Sequence, residues 1–254
     1  MYAVLSPAKK LVVPTRTITP SEPVFTGQAG ELITIMRQQS PDDLASLMKL
    51  SEKLAQLNFE RFQLFDDSQG PESTTPAALT FAGDTYVGFE AATLTDTDLD
   101  FAQETIGILS GLYGLLRPLD SIQPYRLEMG TKVQTQAGQG LYRFWGESIA
   151  KEIKGRLDGH GERVLINLAS KEYFGAVPLG ALDCRVITPV FKELRDGKAK
   201  VISFLAKRAR GSMARFIVQN RVTRPDDLKA FNTDGYRYEA QLSDSDEWTY
   251  VRSA

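Results

Sequence analysis

The strongest constraint on the fold is a pair of β-rich segments that a helix follows at once, between residues 183 and 224. The two segments read CRVITPVFKELRDGKAKVISFL, and Asp196-Gly197 separates them. β-Rich runs on both sides of an Asp-Gly dipeptide are typical of a β-hairpin. The helix predicted over Leu205–Val222 carries its apolar residues on one face, and that face needs a sheet to cover it. The pattern predicts a hairpin-helix unit over about 183–224 in a chain of mixed α and β structure.

Further strands and helices are predicted along the rest of the chain. YAVLSPAK is a short apolar strand that ends in a turn, RVLINLAS is a buried strand, and GYRYEA and EWTYV are strands near the C-terminus. Helical spacing of apolar residues predicts helices near 28–39, over 40–66 in two stretches, from Thr97 to about Leu109, and from about Leu141 to Leu157. No internal repeat and no long linker divides the chain. Residues 1–254 therefore predict a single α+β domain with a mixed β-sheet and flanking helices.

Composition argues against several kinds of protein. Hydrophobic residues make up 42% of the chain, and no apolar run approaches the roughly 20 residues of a membrane span. The first residues, MYAVLSPAKK, have no basic region before the apolar run, unlike a secretory signal. The lone cysteine, Cys184, suits a reducing compartment, and with only one histidine, His160, the chain lacks the usual ligands of zinc or iron. We expect a cytoplasmic protein without membrane partners, cofactors or a dedicated metal site.

Charge is unevenly distributed. Ten Lys or Arg residues and only two acids lie between Lys192 and Arg224, although the whole chain has a net charge of −2. Between Arg61 and Arg117 there are nine acids and no cation. Such asymmetry predicts one basic surface for an anionic partner. In the alternative interpretation, the acidic segment folds against the basic one and neutralises it.

The predicted helix after the hairpin concentrates cations on one side. The sequence AKRARGSMARF places four of them, with Gly211 and Ala214, opposite the apolar face. These cations are Lys207, Arg208, Arg210 and Arg215. Arginine forks and lysine ammonium groups suit phosphate contacts, and the small residues are predicted to let an anionic backbone approach the helix. The alternative is an ordinary solvated face, although such faces mix acids with cations.

Additional phosphate-binding candidates lie elsewhere in the chain. Ser6 and Lys9 occupy the turn after the first strand, a position where ligands often meet sheets. Lys192 precedes the hairpin turn. Arg117 and Arg126 stand in RPLDSIQPYRLEMG, a proline-stiffened segment suited to recognition. These two arginines can equally form ion pairs with Asp120 and Glu128.

Residues for catalysis are few. His160 lies in the turn DGHGER, a poor platform for a triad. Asp84 and Glu90 in FAGDTYVGFE are candidates for a carboxylate pair that binds Mg²⁺. Aromatic residues near cations either stack on bases or belong to the core; they are Tyr142, Phe144, Trp145, Tyr173 and Phe174. We assign no catalytic residue.

A set of motifs resembles the YaaA family of bacterial peroxide stress resistance proteins. The motifs, in order, are LSPAK, FAGDTYVG, LSGLYGLLRPLDSIQPYRLEMG, LYRFW, INLASKEYF and AKRARGSMARFI. The resemblance runs from Met1 to about Tyr236. It implies a cytoplasmic protein that protects DNA during peroxide stress, with lowered free intracellular iron. It also implies DNA binding, a family-specific fold, a basic cleft and a helix-hairpin-helix-like element.

The helix-hairpin-helix-like element corresponds to about residues 40–66. Ser40 is the predicted N-cap of its first helix, with Pro41 at the first helical position. The turn MKLSEK stands where that motif usually has glycines whose backbone N–H groups approach a phosphate. Lys49, Ser51 and Lys53 are therefore predicted to contact DNA through their side chains. The alternative is that these helices form only a corner of the core.

The leading hypothesis is a monomeric DNA-binding protein of the peroxide stress response. Phosphate contacts carry no base information, so the predicted binding is mostly independent of DNA sequence. The alternative is an enzyme that acts on a nucleotide or another phosphorylated small molecule in the same cleft. A third possibility, iron sequestration, conflicts with the shortage of His and Cys, although carboxylates of the acidic segment could hold iron weakly.

Overall fold

The structure, a computed structural model, describes residues 1–66, 74–195 and 197–253. Its helices are α1 Thr26–Arg37, α2 Pro41–Met48, α3 Glu52–Leu64, α4 Ala77–Thr80, α5 Asp84–Phe89, α6 Asp96–Thr105, α7 Leu141–Trp145, α8 Ser148–Leu157, α9 Lys171–Phe174, α10 Leu179–Leu182 and α11 Ser203–Gln219. Its strands are β1 Tyr2–Leu5, β2 Lys10–Leu11, β3 Thr75–Pro76, β4 Phe81–Ala82, β5 Ile106–Ser110, β6 Gly114–Leu116, β7 Ser121–Ile122, β8 Gln134–Thr135, β9 Gly138–Gln139, β10 Val164–Leu168, β11 Arg185–Arg195, β12 Lys198–Lys200, β13 Arg237–Tyr238 and β14 Glu247–Ser253.

One mixed sheet organises the molecule. Its strand order is β13-β14-β11-β10-β1-β5-β6, and β12 pairs with the end of β11. The strands from β14 to β5 run parallel to their neighbours, whereas β6, β12 and β13 are antiparallel. The predicted single α+β domain with a mixed sheet and flanking helices is confirmed. No helix in the described parts of the chain is long and apolar enough to cross a membrane.

The first strand lies at the centre of the sheet. Ala3 is paired with Ile166 of β10 on one side and with Ile106 of β5 on the other. Every residue of β1 is fully buried, as expected for a parallel strand covered on both faces. The chain adds β5 on one side of β1 and later adds β10 on the other, so the strand order reverses at β1. The carboxyl edge beside such a reversal is where open parallel sheets bind ligands.

The predicted hairpin and helix are present with small shifts in their bounds. Strand β11 pairs antiparallel with β12, for example Glu193 with Lys200, while Asp196 of the predicted turn lies outside the described residues. Helix α11 spans Ser203–Gln219 rather than Leu205–Val222 and packs on β1, β10 and β11. Its apolar face covers the sheet, as the spacing of its apolar residues predicted.

One predicted helix is too long. The helix expected from Thr97 to about Leu109 ends at Thr105, and the next five residues form strand β5. All residues of β5 are buried. A short apolar run fits either a buried strand or the end of a helix, and here pairing with β1 makes it a strand.

Two glycines bring helices α5 and α11 into close contact. A Cβ atom on Gly211 would lie 1.7 Å from the carbonyl oxygen of Thr85, and one on Gly88 would lie 2.1 Å from that of Arg208. Gly211 and Ala214 are buried, so these small residues accommodate a neighbouring helix rather than an approaching anionic backbone. This corrects the role that the sequence predicted for them.

Candidate functional site

A pocket of about 460 Å³ opens at the carboxyl edge of the sheet. Ser6 directly follows β1, and Ser170 stands two residues after β10, so the parallel pairing of these strands brings the two serines together. The backbone N–H of Ser170 donates to Ser6 Oγ at 2.8 Å, and Ser6 Oγ donates to Ser170 Oγ at 3.3 Å. These bonds join the two strand ends in the lining of this cavity, the basic pocket.

Helix α11 supplies two cations to the basic pocket, Lys207 and Arg210. Among the described residues, no carboxylate lies within ion-pair distance of either side chain. Burial lowers the pKa of Arg210, because the guanidinium has lost water and gained no counter-charge. Its Nε donates only to the carbonyl oxygen of Ala206, at 3.3 Å. A half-buried arginine without a carboxylate partner is an arrangement that an anionic ligand would stabilise.

A third wall of the basic pocket comes from residues 125–128. Glu128 forms one ion pair with Lys9 at 2.7 Å and another with Arg126 at 3.0 Å. Arg126 therefore forms the ion pair with Glu128 that was the alternative expected for it, and it also lines the pocket. Lys9 and Arg126 are thus fixed in place by one shared carboxylate, and part of their charge is neutralised.

Three tyrosines form an aromatic side of the basic pocket: Tyr86, Tyr125 and Tyr173. The hydroxyl of Tyr86 donates to the carbonyl oxygen of Ser6 at 3.1 Å, and the hydroxyl of Tyr125 lies 2.6 Å from Ser110 Oγ. Burial raises the pKa of all three hydroxyl groups, so they stay neutral at physiological pH. The pocket is therefore lined by neutral rings as well as by the cations of α11.

Five of the predicted phosphate-binding residues meet in the basic pocket. They are Ser6, Lys9, Arg126, Lys207 and Arg210. These residues are far apart in sequence, and the sheet and α11 bring them together. The pocket also holds residues that the sequence analysis did not select for phosphate binding, namely Lys10, Glu128, Ser170, Glu172 and Tyr173. Ser170 could have been selected by the rule used for Ser6, because it also follows a buried strand in a motif, INLAS.

Six other predicted cations lie outside the pocket lining: Arg117, Lys192, Arg208, Arg215, Lys49 and Lys53. Arg117 forms a 2.9 Å ion pair with the fully buried Asp120, and this is the alternative role expected for it. Lys192 lies 3.4 Å from Thr249 Oγ1. Arg208 is exposed, with Nε 3.6 Å from a carboxylate oxygen of Asp234.

Arg215 lies against the acidic segment. It donates to the carbonyl oxygens of Phe89 and Glu90, and it lies 3.7 Å from the Glu90 carboxylate. Further along, Arg221 forms a 2.7 Å ion pair with Asp98 of α6. The acidic segment thus pairs with the C-terminal part of the basic region, while Lys207 and Arg210 have no carboxylate partner among the described residues.

The predicted hairpin at residues 48–53 is a pair of helices, α2 and α3, joined by a short turn. Ser40 and Asp43 form the reciprocal capping bonds expected at the start of α2. Lys49 ends α2 with φ 54°, a left-handed conformation that glycine adopts most easily. The side chains of Lys49, Ser51 and Lys53 are exposed and do not line the basic pocket. Their contact with DNA stays a prediction.

The two candidate carboxylates, Asp84 and Glu90, lie at opposite ends of α5. Asp84 starts α5 and lines the basic pocket, whereas Glu90 follows the end of the same helix and faces Arg215. Within the described ranges, no three His, Cys, Asp or Glu side chains are grouped as metal ligands would be. Asp84 is exposed and has no ion pair among the described residues.

Comparison with known proteins places the chain in a family. A family model described as peroxide stress protein YaaA matches residues 1–242. A UPF0246 protein of Ruegeria pomeroyi is 50% identical over 252 residues, covering 99% of this chain and 98% of the relative. UPF0246 proteins of Roseobacter denitrificans and Burkholderia orbicola are 49% and 48% identical over 254 and 256 aligned residues, with the same coverage. The chain therefore belongs to the peroxide stress protein YaaA family.

Proposed function

We propose that this protein binds DNA during the oxidative stress response and that backbone phosphates reach it through the basic pocket. Membership of a peroxide stress family supports the role in the stress response. The observation that carries DNA binding is the pair Lys207 and Arg210, which face a concave site without carboxylate partners among the described residues. Duplex DNA carries a regular row of phosphates, and cations that neutralise them release counterions.

The proposed binding is mostly independent of DNA sequence. Its charged contacts go to phosphates, which position DNA without reading bases. In this proposal the protein is a cytoplasmic monomer that shields DNA from oxidative damage. The hairpin at Lys49, Ser51 and Lys53 makes a second contact with the DNA. Lowered free iron is part of the same proposal. Direct sequestration is not included, because the described residues hold no grouped metal ligands.

A salt series tests the proposal. The dissociation constant for a fluorescently labelled duplex should rise steeply with salt concentration, and log K should fall linearly with log salt. The double variant Lys207→Gln/Arg210→Gln should weaken binding and reduce the slope by about two, since each phosphate contact contributes about 0.9. A slope near zero for the unmodified protein would exclude phosphate neutralisation.

Arg163→Gln is the matched control. Arg163 directly precedes β10, whereas Ser170 follows it, so the control cation lies at the opposite edge of the sheet from the basic pocket. It is exposed and pairs with Asp158. Its loss should leave both the affinity and the salt slope unchanged. If this control weakened binding as much as the double variant, the basic pocket would not be the DNA site.

A further inference from the structure

We propose that the basic pocket binds a single nucleoside monophosphate unit, with the phosphate on Lys207, Arg210 and the hydroxyl of Ser170. The inference rests on the proposed function, because it uses the same phosphate contacts. It adds the size and chemical class of the group that enters the pocket.

The size of the cavity limits what can enter. About 460 Å³ lies within the range of pockets that hold small organic ligands, about 300–1,000 Å³, and is far more than an inorganic phosphate needs. A duplex cannot enter such a cavity, so its backbone can only cross the mouth. A nucleotide that is free, or unpaired at the end of a DNA strand, can occupy it fully.

Ser170 has a hydrogen-bond donor to offer a ligand. Its Oγ accepts from Ser6 Oγ at 3.3 Å and from the backbone N–H of Tyr173 at 3.4 Å. A serine hydroxyl accepts up to two hydrogen bonds and donates one. The proton of Ser170 has no acceptor among the residues that the structure describes, and Ser170 lines the pocket. An anionic oxygen would complete its bonding in the pocket that the two cations of α11 also line.

The remaining walls suit a nucleoside. Tyr86, Tyr125 and Tyr173 line the pocket with neutral rings, and a base can stack on Tyr173, the one of the three that is not buried; such stacking tolerates any base. Asp84 and Glu172 supply carboxylates without ion pairs among the described residues, and Glu172 Oε1 accepts only the backbone N–H of Gly130, at 3.0 Å. Such carboxylates accept hydrogen bonds from sugar hydroxyls or from the amino groups of bases.

Calorimetric titration of the full chain tests the site with three probes: deoxyadenosine 5′-monophosphate, deoxyadenosine and inorganic phosphate. The monophosphate should bind at least about tenfold more tightly than either part alone. Ser170→Ala should weaken binding of the monophosphate about tenfold, which is the effect of losing one hydrogen bond to a charged group. Ser245→Ala, an exposed serine in a distant loop, is the matched control and should change nothing.

A second variant protects the test from folding defects. Ser170 also caps α9, so Ser170→Ala could act through the fold. Lys207 is exposed and has no described ion pair, so Lys207→Gln should weaken the monophosphate by a similar factor and leave the melting temperature unchanged. Equal binding of inorganic phosphate and the monophosphate would overturn the inference. So would unchanged binding in both variants.

DNA probes separate the two sources of the nucleotide and the two proposals. If the monophosphate displaces a duplex with one unpaired 5′-phosphorylated nucleotide but not a blunt duplex, the pocket takes the end of a DNA strand. If it binds and displaces neither duplex, the pocket takes a free nucleotide. Salt-dependent duplex binding without any monophosphate binding would overturn this inference alone. Monophosphate binding without any DNA binding would support it and contradict the proposed function.

Discussion

Arg210 combines a cost to the fold with a use in binding. Its guanidinium is partly buried, burial lowers its pKa, and its one described bond goes to the carbonyl oxygen of Ala206. Removing an unpaired buried charge is expected to stabilise the folded protein. Arg210→Met should raise the free energy of unfolding by about 1 kcal/mol while weakening DNA binding.

Denaturant unfolding and DNA titration of the same preparation check this opposite effect. Arg208→Met is the matched control, because Arg208 lies in the same helix, is exposed and is only loosely paired with Asp234. Its free energy of unfolding should change by less than about 0.5 kcal/mol. A destabilised Arg210→Met variant would show that Arg210 supports the fold rather than a ligand.

The only histidine of the chain offers a second measurement at the residue scale. His160 follows α8, and its Nε2 lies 3.2 Å from the carbonyl oxygen of Glu104. Burial and the positive N-terminal amine lower its pKa, against a smaller opposite effect of Glu104. Since the pKa is lower in the folded than in the unfolded state, the unfolded chain takes up a proton first as the pH falls through about 6.5. Stability should therefore decrease on acidification in this window.

NMR measures this pKa directly, because a single histidine gives one set of imidazole signals. The folded protein should titrate below the ordinary value of about 6.5. In His160→Gln, the free energy of unfolding should vary less between pH 7 and 5 than in the unmodified protein. A titration midpoint above the ordinary value would contradict the assigned burial.

At the scale of elements, the crossing of α5 and α11 depends on glycine. In Gly211→Ala, the new Cβ would meet the backbone carbonyl of Thr85, which cannot rotate away as a side chain can. The variant should lose about 3 kcal/mol of unfolding free energy or more, at the upper end of overpacking costs. Because α5 carries Asp84 and Tyr86 into the basic pocket, ligand binding should weaken as well.

Gly155→Ala is the matched comparison within another helix. Gly155 lies inside α8, and nothing approaches within 4 Å of the position of its Cβ. Alanine should therefore stabilise α8 by about 1 kcal/mol, through its better helix propensity. Thermal unfolding of both variants tests the pair. A stable Gly211→Ala variant would mean that α5 is free to move away from α11.

The sequence predicts the bounds of an element where local bonds set them, and it fails where contacts with distant residues set them. Ser40 and Pro41 mark the start of α2 through local bonds, so its N-terminus is predicted correctly. The end of α6 is not, because only pairing with β1 turns residues 106–110 into a strand. Gly211 shows the same limit for packing. Its sequence context predicts an open cationic surface, whereas its true neighbour is Thr85 of α5, 126 residues earlier in the chain.

At the scale of the whole molecule, the sheet explains which predicted site residues meet. The turn after a buried strand marks Ser6 and Lys9 as candidates, and the absence of nearby acids in the sequence marks Lys207 and Arg210. Their meeting needs the parallel pairing of β1 with β10 and the packing of α11 on both, which no local pattern contains. The neutralisation of Arg215 depends in the same way on contact with α5.

The proposed second DNA contact is also a property of the whole molecule. Lys49 and Lys53 are exposed on the α2–α3 turn, and neither lines the basic pocket. If one duplex touches both regions, Lys49→Gln/Lys53→Gln should reduce the slope of log K against log salt by about two, since each lost phosphate contact removes about 0.9. Nucleoside monophosphate binding should stay unchanged, because the basic pocket is intact. Lys207→Gln/Arg210→Gln should instead reduce both the salt slope and nucleoside monophosphate binding.

Fluorescence anisotropy over a salt series, with calorimetry on the same proteins, distinguishes these patterns. An unchanged slope in the Lys49/Lys53 variant would show that α2 and α3 serve only as a corner of the core. The basic pocket would then account for DNA contact without them.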